Sequence, residues 1–229
     1  MAVNIVEQID NDVEINRVLI SVSNKDGLDR FVPELMAVVP KIKIYSTGGT
    51  YQALQDIIGR KSEGTLVQVS EYTGQPEMQG GLVKTLDFRI YLGLLSETYN
   101  SAHASDLERT RAVPIDMVVA NLYPFESTIR DPKATVEHAR ANIDIGGPCM
   151  IRAAAKNFLR VASVTRPDDY AGIIAEMDLR GGRLCLQTRF RLATKAFAHT
   201  ADYDRTIADY FVERSFEEAR SCYRIMSKE

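Results

Sequence analysis

Cysteine and histidine are scarce in this chain. Cys149, Cys185 and Cys222 form an odd set with no paired spacing, and His103, His138 and His199 lie far from them and from one another. That distribution argues against a disulfide framework and against a zinc site, so no metal is expected and a reducing, cytoplasmic setting fits best. Charge of one sign is also lacking. Lys and Arg number 28 against 31 Asp and Glu, leaving a formal net charge of -3 spread along the chain. Such a balance does not supply the concentrated basic face that duplex nucleic acid requires, though a small anionic ligand remains compatible. Long hydrophobic runs are missing as well. Met1 to Asn16 alternates acids with Val and Ile and is too polar for a signal peptide or a membrane span, so no membrane partner is expected. What is abundant is core-forming material. The 229 residues are 45% hydrophobic, enough for one globular, enzyme-sized unit.

Strand and helix patterns alternate along the chain. "RVLISVS" (17–23) is a short β-branched run, the loop Asn24-Lys25-Asp26-Gly27 breaks it, and Leu28, Phe31, Leu35 and Val38 follow at helical spacing. The unit repeats with "KIKIYST" as a strand, Gly48-Gly49-Thr50 as a turn and Tyr51 to Ile58 as a helix; "TLVQVSEY" reads as a third strand. Further strands are expected over Asp116 to Asn121 and in "RVASVT" (160–165), with a proline-started helix from Pro167 to Asp178. The pattern is helical throughout from Gln187, and it closes with a stripe of Phe216, Ala219, Cys222 or Tyr223, and Met226. The expected class is α/β: a parallel sheet covered by helices on both faces, with a C-terminal helical layer. A single domain is expected over residues 1–229, with its core at about 17–180 and the helical layer at about 187–229.

Ligands of such sheets bind at the carboxyl ends of the strands, which directs attention to the loops there. "SVSNKDG" offers Ser21, Ser23 and Lys25; "STGGT" offers Thr47, Gly48, Gly49 and Thr50 at a helix start, where backbone N–H groups can approach a phosphate. Either loop alone reads equally well as a capped turn, but two on successive strands point to an anion site. Lys84 and Thr85 in "GGLVKTLDF" form one polar pair between apolar neighbours, and "NLYPF" places Asn121 and Tyr123 after a buried strand. Their plainer readings are a solvated lysine and a packing tyrosine at a proline-set turn.

"NIDIGGPCMIRAAAKN" (142–157) sets Asp144 before Gly146-Gly147-Pro148 and ends in Lys156. Pro148 suits the first turn of a helix over Met150 to Phe158, whose positive end then faces Gly146, Gly147 and Asp144. Lys156 lies about 12 Å above that turn by helix rise. An acid and an amine brought together away from water can exchange a proton; otherwise Asp144 is a helix cap and Lys156 a surface residue.

These segments together resemble the cyclohydrolase domain of the bifunctional purine-biosynthesis enzyme family. The matching stretches are "SVSNKDG", "STGGT", "VSEYTGQPEM", "VKTL", "IDMVVANLYPF", "NIDIGGPCMIRAAAKN", "DDY" and "TRFRLATKAFAHTADYD", in family order over about residues 17 to 211. The resemblance implies a methylglyoxal-synthase-like fold, a homodimer, no cofactor, and closure of formamidoimidazole-carboxamide ribotide to inosine monophosphate and water. It assigns Ser23, Lys25, Thr47, Gly48, Gly49 and Thr50 to the ribotide phosphate and ribose. Lys84, Thr85 and Asn121 would line the rest, and Ile145, Gly146 and Gly147 would offer backbone groups to the base. Asp144 and Lys156 are assigned to proton transfer, with Lys84 and Tyr123 near the developing oxyanion. In the bifunctional family a formyltransferase domain follows; here the formyl group is expected from a separate protein.

The chain departs from the family pattern where G-R-V-K-T-L-H-P becomes "GLVKTLDF", placing Leu82 for arginine and Asp87-Phe88 for His-Pro, and where Phe158 replaces a histidine. A fork donor for an anion is thereby lost, with Lys25 or Arg89 as candidates to compensate. Two rivals therefore stand beside the cyclohydrolase: a lyase acting on a triose phosphate, and a non-catalytic nucleotide-binding regulatory domain.

Overall fold

The computed structural model describes residues 5–76 and 85–226. A short strand β1 (Asp12–Glu14) precedes β2 (Arg17–Val22), α1 (Leu28–Val38), β3 (Lys43–Ser46), α2 (Gly48–Ile58), β4 (Leu66–Gln68) and α3 (Val69–Thr73). After the undescribed stretch come α4 (Phe88–Leu95), α5 (Ser101–Thr110), β5 (Met117–Asn121), α6 (Phe125–Ile129), α7 (Val136–Ala141) and α8 (Gly146–Lys156). The chain continues through β6 (Ala162–Val164), α9 (Tyr170–Leu179), β7 (Arg183–Cys185), α10 (Leu186–Val212) and α11 (Phe216–Ser221).

Five strands form a parallel sheet in the order β4-β3-β2-β5-β6, with β2 central, and β1 pairs antiparallel with β7 as a separate ribbon. The sheet buries both faces, as its near-continuous apolar strands require. In β2, Val18, Ile20 and Val22 enter one core with Leu28, Phe31 and Leu35 of α1 and Ile173 of α9, while Leu19 points into the other with Ile90 of α4 and Ile151 of α8. β5 splits in the same way, Met117 and Val119 to one side and Val118 and Ala120 to the other. Each such side chain contributes about 1.5–3 kcal/mol by leaving water.

Two buried arginines lock the periphery. Arg160 pairs with Asp116 at 3.1 Å, and the second oxygen of Asp116 accepts the Asn16 and Arg17 N–H groups. Arg189, fully buried on α10, donates to the carbonyls of Asp10, Asn11, Phe158, Leu159 and Leu184, so the long helix is tied to the β1–β7 ribbon.

Several elements differ from the sequence reading. α2 begins at Gly48, so both glycines belong to the helix and not to a turn before it. The "TLVQVSEY" strand is only Leu66–Gln68; Val69–Thr73 closes into a helical turn, with Thr73 bonded to the Val69 carbonyl at 2.9 Å. The Pro167 helix opens as a 3-10 turn, Pro167–Asp169, before α9. The terminal stripe is shorter than expected. α11 stops at Ser221 after a Ser215/Glu218 capping box, and Phe216 and Met226 are 74% and 75% exposed. The Tyr223 hydroxyl, donating to Glu137, ties this end back to α7.

Candidate active site

Strand order places β3 and β4 on one side of β2 and β5 and β6 on the other, so the direction in which successive strands are added reverses between β2 and β5 while all strands stay parallel. The crevice outside the carboxyl ends of strands at such a switch is the expected ligand position. A cleft of ≈440 Å³ lies there, walled by the loops after β2, β3 and β5 and by the start of α8.

The β2 and β3 walls are wired by hydroxyls. Ser21 and Thr47 share a 3.1 Å side-chain hydrogen bond, Ser46 Oγ donates to the Ile20 carbonyl, and Thr50 Oγ1 both accepts from Val22 N–H and donates to the Val22 carbonyl. Thr50 is thus consumed in holding the loop, while Thr47, Gly48 and Gly49 face the cleft at the amino end of α2. Gly48 has φ 49, in the left-handed region that favours glycine. The first N–H groups of α2 lack helical acceptors, so this end carries partial positive charge toward the cleft. Ser23 and the exposed Lys25 complete that wall, with Lys25 Nζ 3.4 Å from the Ser23 carbonyl.

Asn121, at the end of β5, acts as a clamp. Its side-chain oxygen accepts the N–H of Ser23 at 2.6 Å and of Asn24 at 3.0 Å, and its amide donates to the Asn24 carbonyl at 2.8 Å. It shapes the β2 loop as well as lining the cleft. Tyr123 follows, 58% exposed, on the opposite lip.

The third wall is the start of α8. Gly147 N–H donates to Asp144 Oδ1 at 2.8 Å, which turns the carboxylate over the first helical turn. Burial pushes the Asp144 carboxyl above the usual carboxylate range, and the N–H groups of Gly147 and Tyr123 oppose that rise. Among the described residues no lysine, arginine or histidine pairs with it. A side chain at either glycine would displace its neighbours. A Cβ on Gly147 would lie 2.6 Å from Asp144 Oδ2 and 2.7 Å from Leu122 Cδ2, and one on Gly146 would lie 2.6 Å from Thr85 Oγ1. Thr85 is therefore packed directly against the helix start, and Ile145 stands 59% exposed at the rim.

Lys156 is not part of this cleft. α8 starts earlier than the sequence pattern suggested, so Asp144 precedes its first turn and Lys156, exposed, closes its last. The eleven residues of α8, of which Lys156 is the last, span about 16 Å, and Asp144 lies before the first of them, beyond a lysine's reach. Lys84 and Leu82 lie outside the described residues. Asp87 is a buried helix cap, accepting Arg89 N–H at 2.8 Å, and the Arg89 guanidinium donates to the Tyr72 carbonyl at 2.8 Å away from the cleft. Arg89 does not line the described cleft. Sequence reasoning missed Tyr203, whose hydroxyl accepts Asp144 N–H at 2.8 Å from fifty-nine residues away, since no local pattern signals such a contact. Among the described residues no cluster of His, Cys, Asp or Glu could hold a metal ion, and no helix is long and apolar enough to cross a membrane.

The switch-point cleft, two polar loops and a half-buried acid define an open α/β domain with a polar cleft at its strand ends. The chain belongs to the family of MGS-like domains, whose pattern matches residues 28–149. Residues 154–228 match the AICARFT/IMPCHase bienzyme family. The chain is 46% identical over 198 residues to the bifunctional purine biosynthesis protein PurH of Acidithiobacillus ferrooxidans, covering 86% of this chain and 36% of that protein. It is 48% identical over 197 residues to the protein of the same name from Sorangium cellulosum, again covering 86% and 36%. The chain therefore spans little more than a third of these relatives' length. Among solved structures it resembles the crystal structure of ForH, with 28% identity and a TM-score of 0.71, covering 85% of this chain and 98% of that one.

Proposed function

We propose that this domain is an inosine monophosphate cyclohydrolase of purine biosynthesis, closing formamidoimidazole-carboxamide ribotide with loss of water. The observation that carries the reading is Asp144: a carboxylate with its pKa raised by burial, free of any cation among the described residues, facing two anion-type loops across one cleft. In the reaction the carboxamide nitrogen attacks the formyl carbon and gives up a proton as the new C–N bond forms. The formyl oxygen becomes an oxyanion, is protonated, and leaves as water when the neighbouring ring nitrogen loses its proton to form C=N. A weak amide nucleophile needs a base whose pKa is brought toward neutrality, which is what burial does to Asp144. Ser23, Lys25 and the amino end of α2, Thr47 to Gly49, hold the phosphate and ribose, with Thr50 bracing the loop beneath them; Asn121 and Thr85 shape the base pocket; and the positive start of α8, Ile145 to Gly147, with Tyr123, faces the developing oxyanion.

Lys156 joins this chemistry only from a second copy of the chain. Ile145 before α8 and the exposed Cys149, Arg152 and Lys156 on it form one stripe, flanked by exposed Phe190 and Phe197 of α10. Two copies packed antiparallel along that stripe bring each Lys156 toward the partner's Asp144 end, so a homodimer is part of the reading. The formylated substrate comes from a formyltransferase, as a separate protein or as a further domain, in a cytoplasmic setting.

The test is a substrate panel followed by absorbance and mass spectrometry: the formylated ribotide, the unformylated ribotide and a triose phosphate. Conversion of the first alone is expected. Phosphate release from the triose phosphate would make the protein a lyase, and binding of inosine monophosphate without any turnover would make it a sensor.

A further inference from the structure

We propose that Tyr203 is a positioning residue for the reaction, holding the main chain of Asp144 so that its carboxylate points into the cleft. The inference rests on the cyclohydrolase reading for its kinetic consequence and on geometry for its structural one. Tyr203 sits in the middle of α10, 9% exposed, and its hydroxyl accepts the Asp144 N–H at 2.8 Å. Asp144 precedes α8, so its amide has no helical acceptor of its own; the tyrosine supplies the one it uses. The same ring packs edge-on against Phe125, with centroids 6.3 Å apart at 72°. Phe125 is buried two residues beyond Tyr123, whose N–H favours the charged form of Asp144.

One side chain thus braces both lips of the cleft: the β5 loop through its ring and the start of α8 through its oxygen. The carboxylate hangs between them, bonded to Gly147 N–H on one side, with the Tyr123 N–H on the other favouring its charged form. Arg189, at the amino end of α10, anchors the same helix through five carbonyls, so the brace is rigid. Displacement of a catalytic group by about 1 Å costs up to about a hundredfold in rate, which gives such a brace kinetic weight although it touches no reacting atom.

The test is Tyr203→Phe, which keeps the ring and its contact with Phe125 and removes only the oxygen. Tyr210→Phe is the control, since Tyr210 packs edge-on against Phe125 at 5.8 Å without reaching Asp144. Two readouts are taken: kcat and KM for the formylated ribotide, and hydrogen exchange at the Asp144 amide by NMR. For Tyr203→Phe, kcat should fall about tenfold or more with KM within about twofold. The Asp144 amide should exchange about fivefold faster or more, and Tyr210→Phe should change neither. Faster exchange with unchanged kcat would overturn the catalytic weight of the brace, and unchanged exchange would overturn the brace itself. A wild-type protein without turnover refutes the cyclohydrolase reading and the kinetic claim with it, whereas the exchange comparison still decides the anchoring.

Discussion

Gly147→Ala isolates the geometry of the acid from its chemistry. The added Cβ would stand 2.6 Å from Asp144 Oδ2, 3.0 Å from Asp144 Cγ and 2.7 Å from Leu122 Cδ2. Ordinary contact begins near 3.4 Å, so the carboxylate must withdraw by 3.4 − 2.6 = 0.8 Å or the helix must lift by as much. Overpacking of this kind costs about 1–3 kcal/mol, and alanine returns about 1 kcal/mol as the better helix former. The net loss of stability is then about 0–2 kcal/mol, a fall in Tm of no more than about 8 °C at about 2–4 °C per kcal/mol. Turnover should suffer far more, because moving the base by nearly an ångström lowers kcat by about 10- to 100-fold. Calorimetric melting and steady-state cyclisation of the formylated ribotide, measured on the same preparation, give the two numbers. Wild-type kcat in a folded Gly147→Ala protein would refute the idea that the carboxylate's place against the helix start matters.

Asp144→Asn keeps an acceptor for Gly147 N–H and removes the base, so kcat should fall by about 10²-fold or more with nucleotide binding little changed. The folded pKa of Asp144 is raised, so the folded state takes up its proton more readily and stability declines as pH rises from the ordinary aspartate value through the raised one. Asp144→Asn should therefore melt at or above the wild-type temperature at neutral pH, an advantage that vanishes below about pH 3.9; a large loss of Tm at neutral pH would contradict this. Asp87→Ala should cost about 1 kcal/mol as a lost helix cap and leave inosine monophosphate affinity by calorimetry unchanged, whereas a ligand role would reverse that ranking. Mixing Asp144→Asn and Lys156→Ala chains should regenerate activity at about a quarter of all sites, because one site of each heterodimer then holds both native groups. No recovery after demonstrated subunit exchange would place Lys156 outside the site altogether.

The parallel sheet was legible because β2, β5 and α1 carry strong local patterns: β-branched runs buried on both faces, and Leu28, Phe31 and Leu35 at helical spacing. Val69–Thr73 was misread as strand because its side chains alternate like one; a Thr73 hydroxyl bonded one turn back and Gly74 at φ 72 close it into a helix instead. The polar loops could be found from strand ends and glycines. Their division of labour could not, since Asn121 and Thr50 read as ligand-facing polar residues yet spend their hydrogen bonds on the backbone of the β2 loop. Asp87 looked like a charge reversal in a binding motif and is a cap, a role set by where α4 begins. Tyr203 left no trace in local sequence because its partner is brought to it by the packing of α10 on α8.

The central claim is that Asp144 in this cleft drives ring closure, and single turnover with enzyme in excess over the formylated ribotide tests it most directly. Quenched samples analysed by mass spectrometry should show the ribotide losing one water to become inosine monophosphate with the native chain and remaining intact with Asp144→Asn. An unchanged ribotide with the native chain, or equal rates for the two proteins, would contradict the account.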